Sequence, residues 1–149
     1  MRIVFLSNYF NHHQKPFSDE MYRLIGRNYT FVETSQMPEF RRCLGYAEIV
    51  YPDYVVKFSK YNEHLQKIID DADIVLFGSA PEYMLKNRKK KNKIILRYSE
   101  RPLKKKISIF KYIYYFIKWN SLSPLGKPIY MMCASAYTSS DFHKFLLFQ

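Results

Sequence analysis

The chain has 149 residues, of which 48% are hydrophobic and 18% aromatic, and its formal net charge at pH 7 is +11. This length suits one domain with a core of its own, and this hydrophobic content excludes a disordered chain. No stretch approaches the ~20 apolar residues of a membrane-spanning helix, so we expect a soluble or peripheral protein. Its two cysteines are far apart and lack metal-ligand spacing, which favours a reducing, cytoplasmic setting.

Short apolar runs alternate with helical patterns along the whole chain. We predict strands over residues 2–6, 29–34, 53–58, 73–77, 93–98 and 128–133. We predict helices from Pro16 to Gly26 (with Phe17, Met21, Leu24 and Ile25 on the apolar face), over 38–44 and 62–72, after Pro81, within 103–120, and from Ser139 or Ser140 with Asp141 in the first turn. Such alternation predicts an α/β, Rossmann-like three-layer sandwich with a mostly parallel sheet of about six strands.

Polar or small residues follow four of these strands, at Asn8–Gln14, Gly78–Pro81, Ser99–Arg101 and Ala134–Ser139. The carboxyl ends of parallel strands meet at one edge of a sheet, so we expect these segments to form one cleft. The side chains that we predict to bind a substrate there are Asn11, His12, Gln14, Ser79, Ser99, Arg101 and Ser135.

The acid–base candidates in this cleft are His12, His13 and Glu100. Arg97 and Arg101 flank Glu100 in sequence and are expected to keep it ionised, which suits a base or a hydroxyl acceptor. We therefore assign catalytic roles to Glu100 and His13. An ordinary ion pair at a loop remains the alternative for Glu100, and a structural or merely exposed position remains the alternative for either histidine.

Several kinds of site are disfavoured by the sequence. The four glycines are scattered and form neither G-x-G-x-x-G nor a P-loop, which disfavours ordinary dinucleotide binding. No nucleophile elbow with a Ser-His-Asp order is visible. The histidines lack the spacing of a metal site, and we expect no metal and no other cofactor.

Most of the net charge lies in one segment, because residues 86–106 contain eleven Lys and Arg against the single acid Glu100. Such a cluster can attract an anionic partner, or it can be a solvated face without one. The densest run, 86–93, has no interleaved aromatic residues, so we do not expect nucleic acid as a partner.

The second half of this segment continues into an aromatic stretch, Leu103–Trp119, which is too short to span a bilayer. A basic aromatic helix of this kind resembles an interfacial anchor, and we predict that Lys104, Lys105, Lys106 and Lys111 face an anionic membrane surface. The alternative is a helix that packs on the sheet through Ile109, Ile113 and Phe116.

Three stretches carry a resemblance to a known family: the strand Thr30–Thr34 after the helix that ends near Gly26, then Asp71–Ser79, then Lys93–Glu100. Together they look like the amino-terminal half of a GT-B glycosyltransferase of the family 4-like group. Where many members have a glycine pair after the first strand, this chain has Asn11–Gln14. Many members also have a histidine at the end of the strand that corresponds to residues 93–98, and this chain has Ser99 or Glu100 at that place.

This resemblance implies that residues 1–149 form a single Rossmann-like domain, the acceptor-side half of a hexosyltransferase-type enzyme. It implies sugar transfer from a nucleotide-sugar to a sugar or lipid-linked acceptor in bacterial surface polysaccharide synthesis, on the inner face of the cytoplasmic membrane. The nucleotide-sugar would bind mainly a carboxy-terminal domain absent from this chain, so the chain alone would be inactive. A non-catalytic Rossmann or flavodoxin-like module, which uses the basic patch on an anionic partner, is the alternative function.

Overall fold

A computed structural model describes residues 1–43, 50–57, 63–103 and 108–144. The strands are β1 (Ile3–Ser7), β2 (Tyr29–Glu33), β3 (Val55–Lys57), β4 (Ile74–Phe77), β5 (Ile94–Ser99) and β6 (Ile129–Cys133). The helices are α1 (Lys15–Ile25), α2 (Glu39–Cys43), α3 (Glu63–Asp71), α4 (Lys86–Lys90), α5 (Ile109–Leu122) and α6 (Ala136–His143). Short 3-10 helices cover Gly26–Asn28 and Glu82–Leu85. The ends of predicted elements at 44, 58 and 62, and the predicted membrane-facing Lys104, Lys105 and Lys106, lie outside the described residues.

The six strands form one sheet in the order β3-β2-β1-β4-β5-β6, and all of their pairings are parallel. β1 lies in the middle, where Leu6 pairs with Val32 of β2 on one side and with Phe77 of β4 on the other. All five residues of β1 are buried, which is why this strand is continuously apolar until Ser7. The α/β, Rossmann-like fold predicted from the sequence is confirmed.

Helices cover both faces of the sheet because the strand residues alternate between two cores. Phe5 and Phe31 point to one face, where Phe17 and Met21 of α1 pack against them. The opposite core contains Val4, Leu6, Val32, Val75 and Ile95 of the sheet with Leu65, Ile69, Met84 and Leu85 of α3 and the 3-10 helix that follows β4. α1 and α3 therefore bury their apolar stripes on opposite faces of the sheet, and the loops at the strand ends carry the polar residues.

α1 begins and ends as its sequence predicts, with Pro16 in the first turn and Gly26 at the end, where φ is +54°. Its apolar face differs from the prediction at one position. Leu24 is 60% exposed, while Tyr22 packs against the core in its place. Tyr22 lies one residue after Met21 and three before Ile25, so the buried stripe is centred slightly to one side of the predicted one.

α6 begins at Ala136, three residues before the predicted start at Ser139. The hydroxyl of Ser135 accepts a hydrogen bond from the backbone N–H of Thr138 at 3.2 Å and so caps the helix. Asp141, which was predicted in the first turn, lies near the end of α6 and is 1% exposed. The prediction placed the start too late because it used Asp141 as a helix-start signal.

The largest fully buried side chain is that of Arg88, which lies in the predicted basic patch but is 0% exposed. Its Nη1 donates to the carbonyls of Ile69 (2.9 Å) and Ala72 (2.7 Å), and its Nη2 donates to that of Ile94 (2.7 Å). These carbonyls lie at the end of α3, before β4 and at the start of β5. Arg88 therefore binds three segments at the amino edge of the sheet.

The described basic residues of the predicted patch do not form one surface. Four of them make bonds within the fold: Arg88, Lys89, Arg97 and Arg101. Lys90 and Lys91 are exposed, but they precede β5 and so lie towards the amino edge, opposite the strand ends that carry the polar loops. Lys86, Lys90 and Lys91 are exposed on α4 and directly after it, so the described part of the basic patch that faces solvent lies near this helix.

We expect Arg88→Met to lower the free energy of unfolding by about 3 kcal/mol or more, because the buried carbonyls of Ile69, Ala72 and Ile94 lose their donor and stay shielded from water. Urea unfolding followed by circular dichroism measures the change. Lys90→Met, an exposed position on α4, is the control and should change stability by less than about 0.5 kcal/mol. Equal stability of the two variants would contradict the role of Arg88.

Candidate functional site

An open cavity of about 710 Å³ lies at the carboxyl ends of β1, β4 and β5. The strand order reverses between β1 and β4, and in parallel α/β sheets this is the usual position for a ligand. Six of the predicted site residues line the cavity: Asn11, His13, Gln14, Ser79, Ser99 and Glu100. The cavity therefore brings together residues from three separate strand ends.

The loop between β1 and α1 is shaped by its own asparagines. Asn8 Oδ1 accepts a hydrogen bond from the Tyr9 N–H at 2.9 Å, and Asn11 Oδ1 accepts one from the His13 N–H at 2.8 Å. Asn11 is 6% exposed, and its carbonyl also accepts from the N–H groups of Gln14 and Lys15. These local bonds fix the turn that carries His13 and Gln14 to the cavity wall.

A second anchor of this loop, Glu33, was missed by the sequence analysis. This carboxylate at the end of β2 is 3% exposed, and its Oε2 accepts from the Phe10 N–H at 2.8 Å and from the Tyr51 hydroxyl at 3.0 Å. It thus ties the loop to β2 and to the chain before β3. The sequence feature that could have identified Glu33 is its place as an acid at the end of an otherwise apolar strand. A carboxylate that is buried there needs a hydrogen-bond partner.

The adjacent histidines differ in position. Their rings lie 4.0 Å apart between centroids, and both side chains are exposed. His13 lines the cavity, whereas His12 does not. The pair therefore presents one imidazole to the cavity, and the other ring lies beside it at an interplanar angle of 47°.

Close approach between β1 and β4 explains the glycine at the end of β4. A Cβ on Gly78 would lie 3.1 Å from the Ser7 Oγ and 3.3 Å from the Leu6 carbonyl oxygen. Both distances are tighter than ordinary van der Waals contact, so a side chain here would press the two strand ends apart. Ser79, the next residue, lines the cavity.

Glu100 lies exposed at the cavity wall after β5, but the arginines that flank it in sequence bind other carboxylates. Arg97 is 3% exposed and makes a two-pronged bond to Glu82 at 2.6 and 2.9 Å. Burial by itself would raise the pKa of Glu82, but hydrogen bonding and charge from Arg97 and Lys89 hold that pKa below its usual value. Arg97 is therefore committed to Glu82, and the ionisation of Glu100 stays a prediction.

Arg101 and Ser135 both lie beside the cavity wall without lining it. The Arg101 Nε donates to Asp141 Oδ2 at 2.9 Å, and its guanidinium lies 5.4 Å from the ring centre of Tyr137. Burial opposes ionisation of Asp141, but the hydrogen bonds from Arg101 and the Leu103 N–H and the charges of Arg101 and Lys144 together hold the pKa of Asp141 below its usual value. Arg101 thus joins the chain after β5 to α6, and Ser135 caps the same helix.

Aromatic side chains complete the cavity wall, and none of them was predicted from the sequence as a site residue. Tyr98, at the end of β5, is 37% exposed and contacts the ring of Phe5 with 6.1 Å between centroids. Trp119 of α5 packs edge-to-face on Phe142 of α6, with 4.9 Å between centroids. The place of Trp119 in the wall could not be predicted, because it lies within the stretch that was interpreted as a membrane anchor. In that stretch the sequence does not show which face of the helix turns inward.

Within the described parts of the chain, no three His, Cys, Asp or Glu side chains gather in a way that could hold a metal ion. The cavity wall carries amide, hydroxyl, imidazole, carboxylate and aromatic groups.

No family model matches this chain, and no curated protein matches it. Among solved structures, the chain is similar to an alpha-glucosyltransferase (AGT) in complex with UDP, with a TM-score of 0.45 and 19% identity over 74% of this chain. The matched region spans 30% of that protein's chain. A likeness of this degree assigns neither a family nor an activity.

We expect Glu33→Gln to loosen the loop between β1 and α1, because the charge-assisted bond to the Phe10 N–H is replaced by a weaker one. Hydrogen exchange measured by NMR should show the Phe10 amide exchanging about tenfold faster. Glu20→Gln, which changes an exposed acid on α1, is the control and should leave this amide unaffected. Unchanged protection of Phe10 in Glu33→Gln would contradict the anchoring role.

Proposed function

We propose that the chain is the acceptor-side half of a GT-B glycosyltransferase, which transfers a sugar from a nucleotide-sugar to a sugar or lipid-linked acceptor. The observation that carries this proposal is the cavity at the reversal of the strand order, with its mixture of aromatic and hydrogen-bonding groups. The resemblance of Asp71–Ser79 and Lys93–Glu100 to GT-B strands supports the same function.

A saccharide suits this wall chemically. A pyranose ring has an apolar C–H face, for which Tyr98 and Trp119 supply aromatic surface, and its hydroxyls need both donors and acceptors. Gln14, Ser99 and Glu100 supply such groups around the same space. The combination of apolar surface with a few placed polar groups is typical of a small-ligand site.

The cavity wall offers few groups that could bind the pyrophosphate of a nucleotide-sugar. Among the described residues, Arg41 is the one lysine or arginine on the wall, and its guanidinium lies 5.5 Å from the ring centre of Tyr9. A donor with two phosphates usually binds several cationic or backbone N–H groups. We therefore assign the donor mainly to a second, carboxy-terminal domain, without which the chain would be inactive.

Glu100 and His13 are the proposed catalytic residues. The acceptor hydroxyl must lose a proton as its oxygen bonds to the anomeric carbon and the nucleotide leaves. Glu100, a carboxylate at the rim, would accept that proton or hold the hydroxyl, and His13 would contact the acceptor from the opposite loop. Asn11, Gln14, Ser79 and Ser99 would bind the acceptor, with His12, Arg101 and Ser135 behind them.

In a polypeptide that joins this chain to a donor-binding domain, Glu100→Gln should lower kcat by about 10²-fold or more, because the base or hydroxyl acceptor is lost. The assay measures transfer of a radiolabelled hexose from nucleotide-hexoses to saccharides. Glu20→Gln, at an exposed acid that does not line the cavity, is the matched control and should retain full turnover. Unchanged turnover in Glu100→Gln would remove the catalytic assignment, and tight nucleotide-sugar binding by residues 1–149 alone would overturn the two-domain proposal.

The structure of α5 supports a membrane as the second partner. The side chains of Ile109, Phe110, Ile113, Tyr114 and Ile117 form one stripe and are 48% to 81% exposed. The alternative of Ile109 and Ile113 packing on the sheet was therefore wrong, because the helix instead turns Tyr112, Tyr115, Phe116 and Trp119 inward. An exposed apolar stripe of this size commonly marks an interaction surface.

Two exposed lysines, Lys111 and Lys118, accompany this stripe on α5. Apolar and aromatic side chains beside lysines are the composition of a helix that lies in a membrane interface. None of the helices in the described ranges is long and apolar enough to cross a bilayer. We therefore propose that α5 lies on the anionic inner face of the cytoplasmic membrane, where surface polysaccharide precursors would be its acceptors.

The chain should cosediment with vesicles of phosphatidylcholine and phosphatidylglycerol at low salt. The double variant Phe110→Ser, Ile117→Ser should bind at least about tenfold more weakly, since two large apolar side chains no longer enter the interface. Leu24→Ser, an exposed apolar residue on α1, is the control and should bind normally. Equal binding of all three proteins, or no binding at any salt concentration, would remove the membrane as a partner.

A further inference from the structure

The loop between β1 and α1 presents an amide donor to the cavity. Asn8 is half-buried on the cavity wall, and its Oδ1 accepts hydrogen bonds from the Tyr9 N–H at 2.9 Å and from the Ser7 hydroxyl at 3.3 Å. A backbone N–H can only donate, so this bond fixes the amide with its oxygen towards the loop. The Nδ2 group of Asn8 is therefore the end of the amide that can bind a ligand.

A guanidinium group lies beside the same loop. Arg41 of α2 lines the cavity, and within the described ranges no other arginine or lysine does so. Its Cζ lies 5.5 Å from the ring centre of Tyr9 and 5.8 Å from that of Phe40. Tyr9 is 6% exposed and directly follows Asn8, so its ring holds the guanidinium close to the loop.

The polar groups of the cavity are separated by charge. Within the described ranges, the one acid on the wall is Glu100, which follows β5. On the other side, Asn8 and His13 follow β1 and Arg41 follows β2, while Glu33 is buried and does not line the cavity. β4 lies between the two sides, so the ends of β1 and β5 are two strand spacings apart, about 10 Å. The cavity therefore has a side of donors with positive charge and a side with a carboxylate.

The donor side has the chemistry of a site for one oxyanion. The planar fork of an arginine matches the oxygens of a phosphate or a carboxylate, and an amide N–H adds a neutral donor. An ammonium group would be repelled by Arg41. A neutral hydroxyl can accept the same bonds, but a charged acceptor makes them stronger. A single phosphate or carboxylate needs fewer cations than the pyrophosphate of a nucleotide-sugar, and so it fits a wall with one arginine.

We propose that Asn8 and Arg41 form a subsite for the oxyanion of a negatively charged saccharide acceptor, either a sugar phosphate or a uronic acid. Asn8 Nδ2 and the Arg41 guanidinium donate to the oxyanion, and the imidazole of His13 on the same loop adds a third donor. The sugar ring extends from there towards Glu100, where the hydroxyl that receives the transferred sugar lies. This assignment rests on the proposed function, since it names the class of acceptor that the same cavity takes.

The test compares charged and neutral forms of the same sugars. The probes are glucose, galactose and mannose, each as its 6-phosphate, its uronic acid and its neutral methyl glycoside, with inorganic phosphate for comparison. Chemical-shift titration of the ¹⁵N-labelled chain at low salt gives each dissociation constant. For at least one hexose, a charged form should bind about tenfold more tightly than the methyl glycoside. Tighter binding of the 6-phosphate assigns a sugar phosphate, and tighter binding of the uronic acid assigns a uronic acid.

Arg41→Gln removes the charge and keeps a polar side chain. It should weaken binding of the charged sugar by about tenfold and leave the methyl glycoside unchanged. Arg27→Gln, at an exposed arginine that does not line the cavity, is the matched control and should bind as the parent chain does. Both variants lower the net charge of +11 by the same amount, so a general attraction of anions to the chain would weaken binding equally in the two.

Asn8→Asp tests the second donor. The aspartate keeps an oxygen that can accept from the Tyr9 N–H, so the turn is retained, but a carboxylate oxygen replaces the Nδ2 donor. Repulsion between this carboxylate and the ligand should weaken binding of the charged sugar by about tenfold or more. The methyl glycoside carries no charge, so its binding should change much less.

The outcomes separate this subsite from the proposed function. Equal affinity for the charged and neutral forms of all three hexoses, or equal binding by Arg41→Gln and Arg27→Gln, would overturn the subsite and leave a saccharide-binding cleft. Binding of inorganic phosphate as tight as that of every sugar phosphate would overturn the assignment to a saccharide. Absence of binding by every sugar would overturn the subsite and the saccharide acceptor together.

Discussion

The buried guanidinium of Arg88 is the interaction on which the sheet depends. It is a full charge removed from water, and its compensation comes from backbone carbonyls at the end of α3 and the beginnings of β4 and β5. The two Nη groups of Arg88 are thus bonded to these carbonyls, while its Nε has no partner among the described residues. Burial lowers the pKa of Arg88, but its ordinary pKa is so high that the side chain stays charged. With the amino edge fixed in this way, the parallel register carries the strand ends to fixed positions at the other edge.

A buried carboxylate performs the corresponding role at the carboxyl edge. Glu33 is paired in register with Ser7, and its bond to the Phe10 N–H holds the polar loop that follows β1. The close approach of Gly78 to Ser7 fixes the neighbouring strand end. The cavity therefore lies between backbone segments that are each bound at the point where they leave the sheet. A site built in this way is preorganised, which reduces the ordering cost of binding a ligand.

The strands could be predicted because a parallel sheet covered on both faces requires continuous apolar runs, and such runs are local in sequence. The polar residues at the strand ends could be predicted for the same reason, since topology alone brings them to one edge. The ion pairs of Glu82 with Arg97 and of Arg101 with Asp141 could not be predicted, because the members of each pair are distant in sequence. A basic cluster in the sequence was therefore interpreted as one surface, although Arg88 and Arg97 are buried. The inward face of α5 was equally hidden, since aromatic residues occur all around that helix.

Both proposed partners, the membrane and the saccharide acceptor, would contact α5. Its inner face supplies Trp119 to the cavity, and its outer face exposes Phe110 and Ile117. A sugar attached to a lipid has to reach the cavity while its acyl or prenyl chain stays in the bilayer. A helix that lies in the interface with one side and lines the cavity with the other would keep those two parts of the acceptor within one helix diameter of each other, about 10 Å. Membrane binding and saccharide recognition would then depend on the same element, so variants on its outer face should affect acceptors with a lipid more than soluble sugars.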